Sequence, residues 1–497
     1  MYLGVDFGTT RTIVARADRG NYPVVGFVDI EGDTVEHFPS VIALVDNEPV
    51  FGFEALAAAR DGAPLLRSVK RLLGEPGVSA TTQVDIGPRS FALLDLLTGF
   101  LSALRQHLIE HSDLTRELTA RTAITTVASV PAHAHGAQRF LTLEAFRAAG
   151  FEVTGLVNEP SAAGFEYTHR LGGTLNSRRD RVLVYDLGGG TFDASLVSVT
   201  GGAHDVLGSV GVNRLGGDDF DAVLGDLALV ASRRPSLNET ASRALLAECQ
   251  EAKERLSPQS RRITVEVDGR PVLVTVDDFY AAVTPLVRAS IDAMAPLVDA
   301  LDEGRPRDQV AGLYLVGGGS GLPLVPRLLR ERFGRRVHRS PYPAASTAIG
   351  LAIAADPDSG FSLADRLWRG FGVFRELDAG RAVGFDQLLD RRTELPSSDE
   401  ITIRRTYRAA HNLGWYRFVE YADVDAKGEP RGDLAPFAEV RFPFAPELQG
   451  RELSCVPVAR RDDGPLIEET YTLDPNGIIT VQITDTSTGY TQTHALR

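Results

Sequence analysis

Short apolar runs closed by turns alternate with helically spaced stretches along the chain up to about Ala355, the pattern of an α/β domain. Tyr2-Leu3-Gly4-Val5 predicts a strand leading into a hairpin. Phe53–Arg60 and Ala63–Leu73 then read as short helices, and Ser90–Glu110 as a longer one with Phe91, Leu94, Leu97, Leu101, Leu104 and Leu108 on one face. A buried strand over Thr122–Val130 ends at Pro131, a helix over Gly136–Ala149 closes at Gly150, and Pro160 opens the helix Ser161–Arg170. The scheme then repeats. A strand runs into Asp186, a hairpin follows, and the Gly216-Gly217 turn precedes helices through Leu256 and another over Asp277–Leu301. The strand Gly312–Val316, a glycine turn and the helix Leu322–Phe333 complete this half. The pattern changes near Asp356-Pro357-Asp358-Ser359-Gly360. Beyond an amphipathic stretch, Ser362–Arg369, it becomes β, with strands at Glu400–Arg405, Trp415–Tyr421, Ala438–Phe444 and Glu468–Leu473. The turn Asp474-Pro475-Asn476-Gly477 leads into a last strand at Ile478–Thr484. The predicted organisation is an α/β domain over 1–356, a linker over 357–369 and a β module over 370–497.

A chain of 497 residues is too long for one core. A hydrophobic share of 43% describes an ordinary globular protein. The net charge of −14 argues against a nucleic-acid surface, which calls for a basic footprint. Two cysteines, Cys249 and Cys455, cannot build a disulfide framework and fit a reducing compartment. With no basic, apolar leader before the first strand and no run long enough for a bilayer, the expected location is the cytoplasm, away from membranes. Arginine has taken most cationic positions, leaving only Lys70, Lys253 and Lys427. A lysine that survives such a bias suggests a need for a compact point charge, which a planar guanidinium cannot replace. Lys427 lies in a turn and reads as surface.

Two stretches share one grammar: Gly4-Val5-Asp6-Phe7-Gly8-Thr9-Thr10-Arg11-Thr12 and Val184-Tyr185-Asp186-Leu187-Gly188-Gly189-Gly190-Thr191-Phe192-Asp193. Each is an apolar strand reaching an Asp, a Gly/Thr-rich turn and a second strand. Such a turn aims backbone N–H groups and threonine hydroxyls at one spot. The Asp before it stands where a Mg²⁺ bridging phosphate oxygens would sit, directly or through water. Two copies point to a duplicated domain closing on a polyphosphate from both sides. Gly317-Gly318-Gly319-Ser320-Gly321, between strand and helix, offers backbone to a nucleoside. No Gly-x-x-x-x-Gly-Lys-Ser/Thr is present, so this is not a P-loop protein.

These two loops, together with Asn158-Glu159-Pro160-Ser161-Ala162-Ala163, Leu215-Gly216-Gly217-Asp218-Asp219-Phe220, Val69-Lys70-Arg71-Leu72-Leu73-Gly74 and Glu251-Ala252-Lys253-Glu254-Arg255-Leu256-Ser257, resemble the 70-kDa heat-shock chaperones of the DnaK type. The resemblance implies an actin-like, duplicated ribonuclease-H-type ATPase domain with ATP or ADP and Mg²⁺ in its cleft, followed by a β-sandwich. It further implies slow ATP hydrolysis coupled to binding of an unfolded or extended polypeptide, in protein folding and the stress response. By the same resemblance Asp6 and Asp186 hold the metal shell, and Gly8, Thr9, Thr10, Arg11, Gly188, Gly189 and Gly190 surround the phosphates. Lys70 reaches the γ-phosphate and attacking water, Glu159 and Asp193 shape the water and metal network, and Thr191 stands beside the transferred group. Gly216, Gly217, Asp218, Lys253, Ser257, Gly317, Gly318 and Gly319 complete the nucleotide site, and Pro131 and Arg139 are candidate relays.

The chain departs from the family in places. Glu254 and Gly321 stand where the family often has long side chains that stack on adenine, which predicts a thin clamp and modest base selectivity. The usual linker of an Asp followed by leucines is missing, and Phe361–Leu367 is a loose analogue. The sandwich resemblance is clearest at Ile467-Glu468 through Ile478, no helical lid is expected after it, and Tyr407–Tyr416, the expected groove lining, is Arg- and aromatic-rich. Two rival readings stay open: a non-hydrolysing nucleotide-sensing adaptor or scaffold, and a small-molecule kinase on the same fold. The His107-Leu-Ile-Glu110-His111 spelling of a zinc-peptidase pattern reads as a helix face, and His133 and His135 as loop residues.

Overall fold

The computed structural model describes residues 1–496 apart from positions 76, 133, 177, 235–236, 303–309, 368 and 378–381. His133 therefore lies outside the described residues. The chain divides into two compact units. One comprises Met1–Leu72, Ala80–Ala132 and Glu144–Leu363; the other comprises Leu73–Ser79, His133–Leu143 and Ala364–Arg497.

The first unit is built twice on one plan. In one half the strand Tyr2–Phe7 forms an antiparallel hairpin with Arg11–Arg16 and runs parallel to Thr125–Val130, which is in turn parallel to Glu152–Asn158. In the other half Arg181–Leu187 forms a hairpin with Phe192–Thr200 and runs parallel to Val310–Val316, itself parallel to Val337–Arg339. Parallel strands collect turns at their carboxyl ends, where ligands of open α/β sheets bind. Both glycine turns stand at that end.

The helices Glu159–Leu171 and Ser346–Ala355 pack between the sheets. Ser346–Ala355 is buried on almost every face, so it carries alanine, glycine and aliphatic residues instead of a polar stripe. A Cβ at Gly350 would lie 1.8 Å from the Ala162 carbonyl oxygen, so only glycine allows this crossing.

Several local expectations change. Ala63–Leu73 is not one helix: Leu65–Arg67 pairs as a strand with Val41–Ala43, and only Val69–Leu72 is helical. Ser68, at φ 58°, breaks the backbone between them. Ser90 belongs to the strand Arg89–Ala92, and its helix begins at Leu93. Asp277–Leu301 is two helices, Val276–Ala293 and Ala295–Asp302. Against the expectation that no run could span a bilayer, Val276–Val298 is long and apolar enough by length and composition. In this structure its Phe279, Val283, Val287 and Ile291 pack in the core of the second half. Within the amphipathic stretch Ser362–Arg369, Ser362–Ala364 forms a sixth strand beside Ala203–Val212. The preceding Phe361 rests near Phe165 and His204, with ring centroids 5.8 and 5.6 Å away.

In the second unit two four-stranded antiparallel sheets face each other. One has the order Ala382–Leu389, Gly370–Leu377, Leu413–Val424, Pro430–Pro443; the other has Ile401–Arg408, Leu466–Leu473, Ile479–Asp485, Thr491–Ala495. Phe371, Phe418, Phe442, Ile467, Val481 and Ile483 fill the apolar part of the space between them. In the same unit Arg139 is buried, and its Nε donates to the Asn476 carbonyl at 2.8 Å.

Candidate functional site

Asp6 and Asp186 are each the penultimate residue of the first strand of their hairpin, so the duplicated plan brings their carboxylates to equivalent ends of the two sheets. The cleft there is lined by Asp6, Gly8, Thr9, Thr10, Arg11, Lys70, Glu159, Asp186, Gly188, Gly189, Thr191, Gly217, Asp218, Lys253, Gly317, Gly318 and Gly319, drawn from seven separated stretches of sequence. Four expected residues stand off this wall. Asp193 is buried behind it and accepts a hydrogen bond from Ala132 N at 3.1 Å. Gly190 and Gly216 serve close approach: a Cβ would come 2.6 Å from Arg71 Nε in the first case and 2.5 Å from Gly189 O in the second. Ser257 shares its hydroxyl with Ser260 at 3.2 Å in the turn that follows the helix Glu239–Glu254, which draws it away from the cleft.

Lys70 lies inside, its side chain 6% exposed, and donates to Glu159 in a tight charged hydrogen bond. Lys253 reaches the wall, yet its ammonium is committed to the Gly217 carbonyl and the Asp221 carboxylate, each at 2.7 Å, and so braces the Gly-Gly turn. Ties cross the cleft: Arg11 pairs with Glu254 at 2.6 Å, Ser68 Oγ donates to Asp218 at 2.9 Å, and Arg71 reaches Asp219 at 3.2 Å.

The sequence reading missed two supporting hydroxyls. Ser129 Oγ donates to Asp6 at 2.7 Å and Thr347 Oγ1 donates to Asp186 at 3.4 Å. Ser129 sits just before the Val130-Pro131 strand end, which was a usable signal. Thr347 lies in a small-residue helix that carries none.

Four carboxylates, Asp6, Asp186, Asp193 and Glu159, thus converge on one ammonium. Burial, reinforced by Glu159, raises Asp6 to about 6 and Asp193 to about 8, and pushes Asp186 well above the usual carboxylate range. For Lys70 burial pulls downward, but Glu159 and Asp6 outweigh it and hold the ammonium charged. The site is short of positive charge. Among the described residues no three acidic, histidine or cysteine side chains assemble into a protein-only metal site. This donor set fits a hydrated Mg²⁺ that completes its shell with water and phosphate oxygen. At the zinc-like motif, His107 Nε2 bonds the Val28 carbonyl at 2.8 Å and the ring packs against Phe53.

A family model described as Hsp70 protein matches residues 2–368. The chain is 30% identical over 515 residues to the chaperone protein HscA of Enterobacter sp. (strain 638), covering 98% of this chain and 76% of that protein. HscA of Escherichia fergusonii is 29% identical over 510 residues with the same coverage.

The chain belongs to the Hsp70 family.

Its architecture is accordingly the actin-like ATPase fold followed by a β-sandwich, as the sequence resemblance implied. It is an ATP-binding Hsp70-type chaperone, and the family hydrolyses ATP with Mg²⁺. The adaptor and kinase alternatives are not favoured. Hsp70 proteins act on unfolded polypeptides, which sets the class of partner.

Proposed function

We propose that the cleft hydrolyses ATP through Lys70 and Glu159, and that the sandwich binds the polypeptide whose release this turnover times. The observation that carries the reading is the buried Lys70–Glu159 pair set among Asp6, Asp186 and Asp193, facing the glycine turns. Phosphoryl transfer is catalysed mainly by positioning and charge stabilisation, and this is a site built for both. Mg²⁺, when bound, neutralises phosphate oxygens; Asp6 and Asp186 would hold it through its shell, fixed by Ser129 and Thr347. Gly8, Thr9, Thr10, Gly188 and Gly189 offer N–H groups and hydroxyls to the phosphates. Glu159, oriented by Lys70, is placed to accept a hydrogen bond from the attacking water, while Lys70 meets the charge that builds on the γ-phosphoryl oxygens. Thr191 borders the same space, and Asp193 steadies the loop at Ala132. The working division is an ATPase domain over 1–356 and a sandwich over 370–497 joined by 357–369, in a cytoplasmic setting that the unbridged Cys249 and Cys455 support.

Single-turnover ATP hydrolysis, with Mg²⁺ or with chelator and with or without a panel of extended peptides, tests this. Slow, Mg²⁺-dependent turnover that responds to some peptides is the expected result. Turnover equal to buffer in every arm overturns the reading.

A further inference from the structure

The His107-Leu-Ile-Glu110-His111 motif has no part in the cleft, yet it borders a cavity of about 460 Å³ elsewhere in the first unit. This cavity lies between the helix Leu93–Glu110, the strand Glu48–Phe51 and the start of the helix Gly52–Arg60. One side is cleared by small residues, Gly99 and Ala103, one turn apart on the long helix. A Cβ at Gly99 would come 2.5 Å from the Phe51 ring, so glycine lets that ring lie against the helix. Phe38 and Phe53, also in the lining, meet edge to face with centroids 5.5 Å apart, and the His107 ring lies 5.0 Å from Phe53. Burial lowers the His107 pKa, so this ring adds neutral aromatic surface. The remaining character is acidic. Asp29, Glu54 and Glu110 line the cavity, and among the described residues no lysine or arginine does. Asp29 is turned to its own loop, accepting from Glu31 N and Asp33 N at 2.9 Å, and Glu110 accepts from Gln106 at 3.2 Å. Glu54 is exposed and has no hydrogen bond or ion pair among the described residues.

We propose that this cavity binds a small organic ammonium ion, its apolar body against Phe51, Phe53 and His107 and its charged nitrogen toward Glu54 and Glu110. A cavity of this volume, mostly apolar with a few polar groups at its edge, has the make-up of a small-molecule site. The charge selects the class of ligand. An anion would face three carboxylates, and a neutral molecule would gain nothing from them. A cation gains from the carboxylates and from the aromatic rings, whose faces attract positive charge. A bare metal ion is not the match, since the His and Glu side chains here do not assemble into a metal-holding group among the described residues. The cavity shares no lining residue with the nucleotide cleft, so the two sites are separate.

Ligand-observed NMR of the full chain tests this with three probes of one shape. Tryptamine carries a protonated amine at neutral pH, tryptophol replaces it with a hydroxyl, and indole-3-propionate replaces it with a carboxylate. Tryptamine is expected to bind with a dissociation constant of about 0.1 to 1 mM, as a ligand of its size allows, and tryptophol about tenfold more weakly. Indole-3-propionate should show no binding. Saturating Mg²⁺-ADP should leave tryptamine binding unchanged. Glu54→Gln removes charge while keeping shape, so it should weaken tryptamine about fivefold and leave tryptophol as it was. Ala103→Trp fills the cavity and should abolish binding of both. Should that variant not fold, Glu54→Gln, a change at an exposed position, decides the matter by itself. Equal affinity for amine and alcohol, indifference to Glu54→Gln, or displacement by Mg²⁺-ADP would overturn the proposal. So would the absence of tryptamine binding at about 10 mM, well above the expected constant.

Discussion

The cleft and the sandwich interior both bury acids beside cations, and they balance charge in opposite ways. In the sandwich Arg375 donates to Glu469 at 2.6 Å and to Asp386 at 2.7 Å, and Arg405 donates to Asp386 at 2.9 Å. Tyr407 and Tyr471 donate to Glu469 at 2.5 and 2.6 Å. Burial opposes the Asp386 charge, but hydrogen bonds from Arg405 and Arg375 hold its carboxyl below the usual range. Every acid has its cation. In the cleft four acids share Lys70, and the aspartates are pushed up, not down. A satisfied buried network rigidifies a fold, whereas an unsatisfied one is stabilised by whatever supplies the missing charge. The first is structure and the second is a site.

The largest effect expected is on turnover. Lys70→Ala should lower single-turnover hydrolysis by about a hundredfold or more while ATP affinity barely changes, the signature of a transition-state contact. Lys70→Arg should recover little, because a planar head cannot occupy the same point. Equal losses in binding and in rate would reduce Lys70 to a ground-state phosphate ligand.

In the sandwich the loss should fall on stability. Glu469→Ala removes the buried carboxylate to which Arg375, Tyr407 and Tyr471 all donate, leaving Arg375 with Asp386, and should cost about 3 kcal/mol in denaturant unfolding, since breaking one partner of a buried pair is expensive. Nucleotide affinity should stay as it was. A cost below about 1 kcal/mol would mean that water reaches the network and that the contrast with the cleft is overdrawn.

The two networks should also part company with pH. Because Asp6 titrates near 6 and Asp193 near 8, against ordinary values near 3.8, the nucleotide-free fold binds more protons than the unfolded chain across that window. Stability should therefore be greatest at the acid end and fall as pH rises through 6 and then 8, by about 1.4 kcal/mol per pH unit for each proton involved. Mg²⁺-ADP should flatten the decline. Thermal melts from pH 5 to 9 with and without nucleotide would show it, and parallel curves would argue against the charge deficit.

A smaller and more selective effect is expected at the metal-facing acid. Asp186→Asn mimics the protonated carboxyl, so the nucleotide-free protein should melt no lower than the parent at pH 8, while Mg²⁺-dependent ATP binding weakens by about tenfold. Unchanged Mg²⁺ dependence would remove Asp186 from the metal shell.

How legible the molecule was follows from where each part is encoded. The phosphate turns are local, with strand, Asp and Gly/Thr turn inside ten residues, and both were readable. Ser129 and Thr347 reach Asp6 and Asp186 from distant segments, and nothing near Thr347 in sequence marks the convergence. The Ala63–Leu73 stretch has helical apolar spacing, but the partner strand at Val41–Ala43 claims Leu65 and Leu66, and a left-handed Ser68 breaks the run. Tyr407 and Tyr416 were expected along an open groove. Instead their hydroxyls meet at 2.5 Å beside Glu469, while Trp415 faces out with Arg441 stacked 4.6 Å from its ring. One signal was available in the strand Leu466–Leu473, where Glu469 occupies an inward position of an alternating pattern and so announces a buried charge.

The three lysines carry a practical consequence. Lys70 and Lys253 are 6% and 9% exposed, and Lys427 stands open in its turn. Acylating reagents in bulk solvent will find Lys427 and the Met1 amine on the folded chain and little else. An acyl-phosphate derivative of the nucleotide, delivered into the cleft, would modify Lys70 or Lys253 against an almost silent background. Mass spectrometry of tryptic peptides could then report occupancy of the cleft in a crude mixture, a reporter supplied by the chain's own scarcity of primary amines.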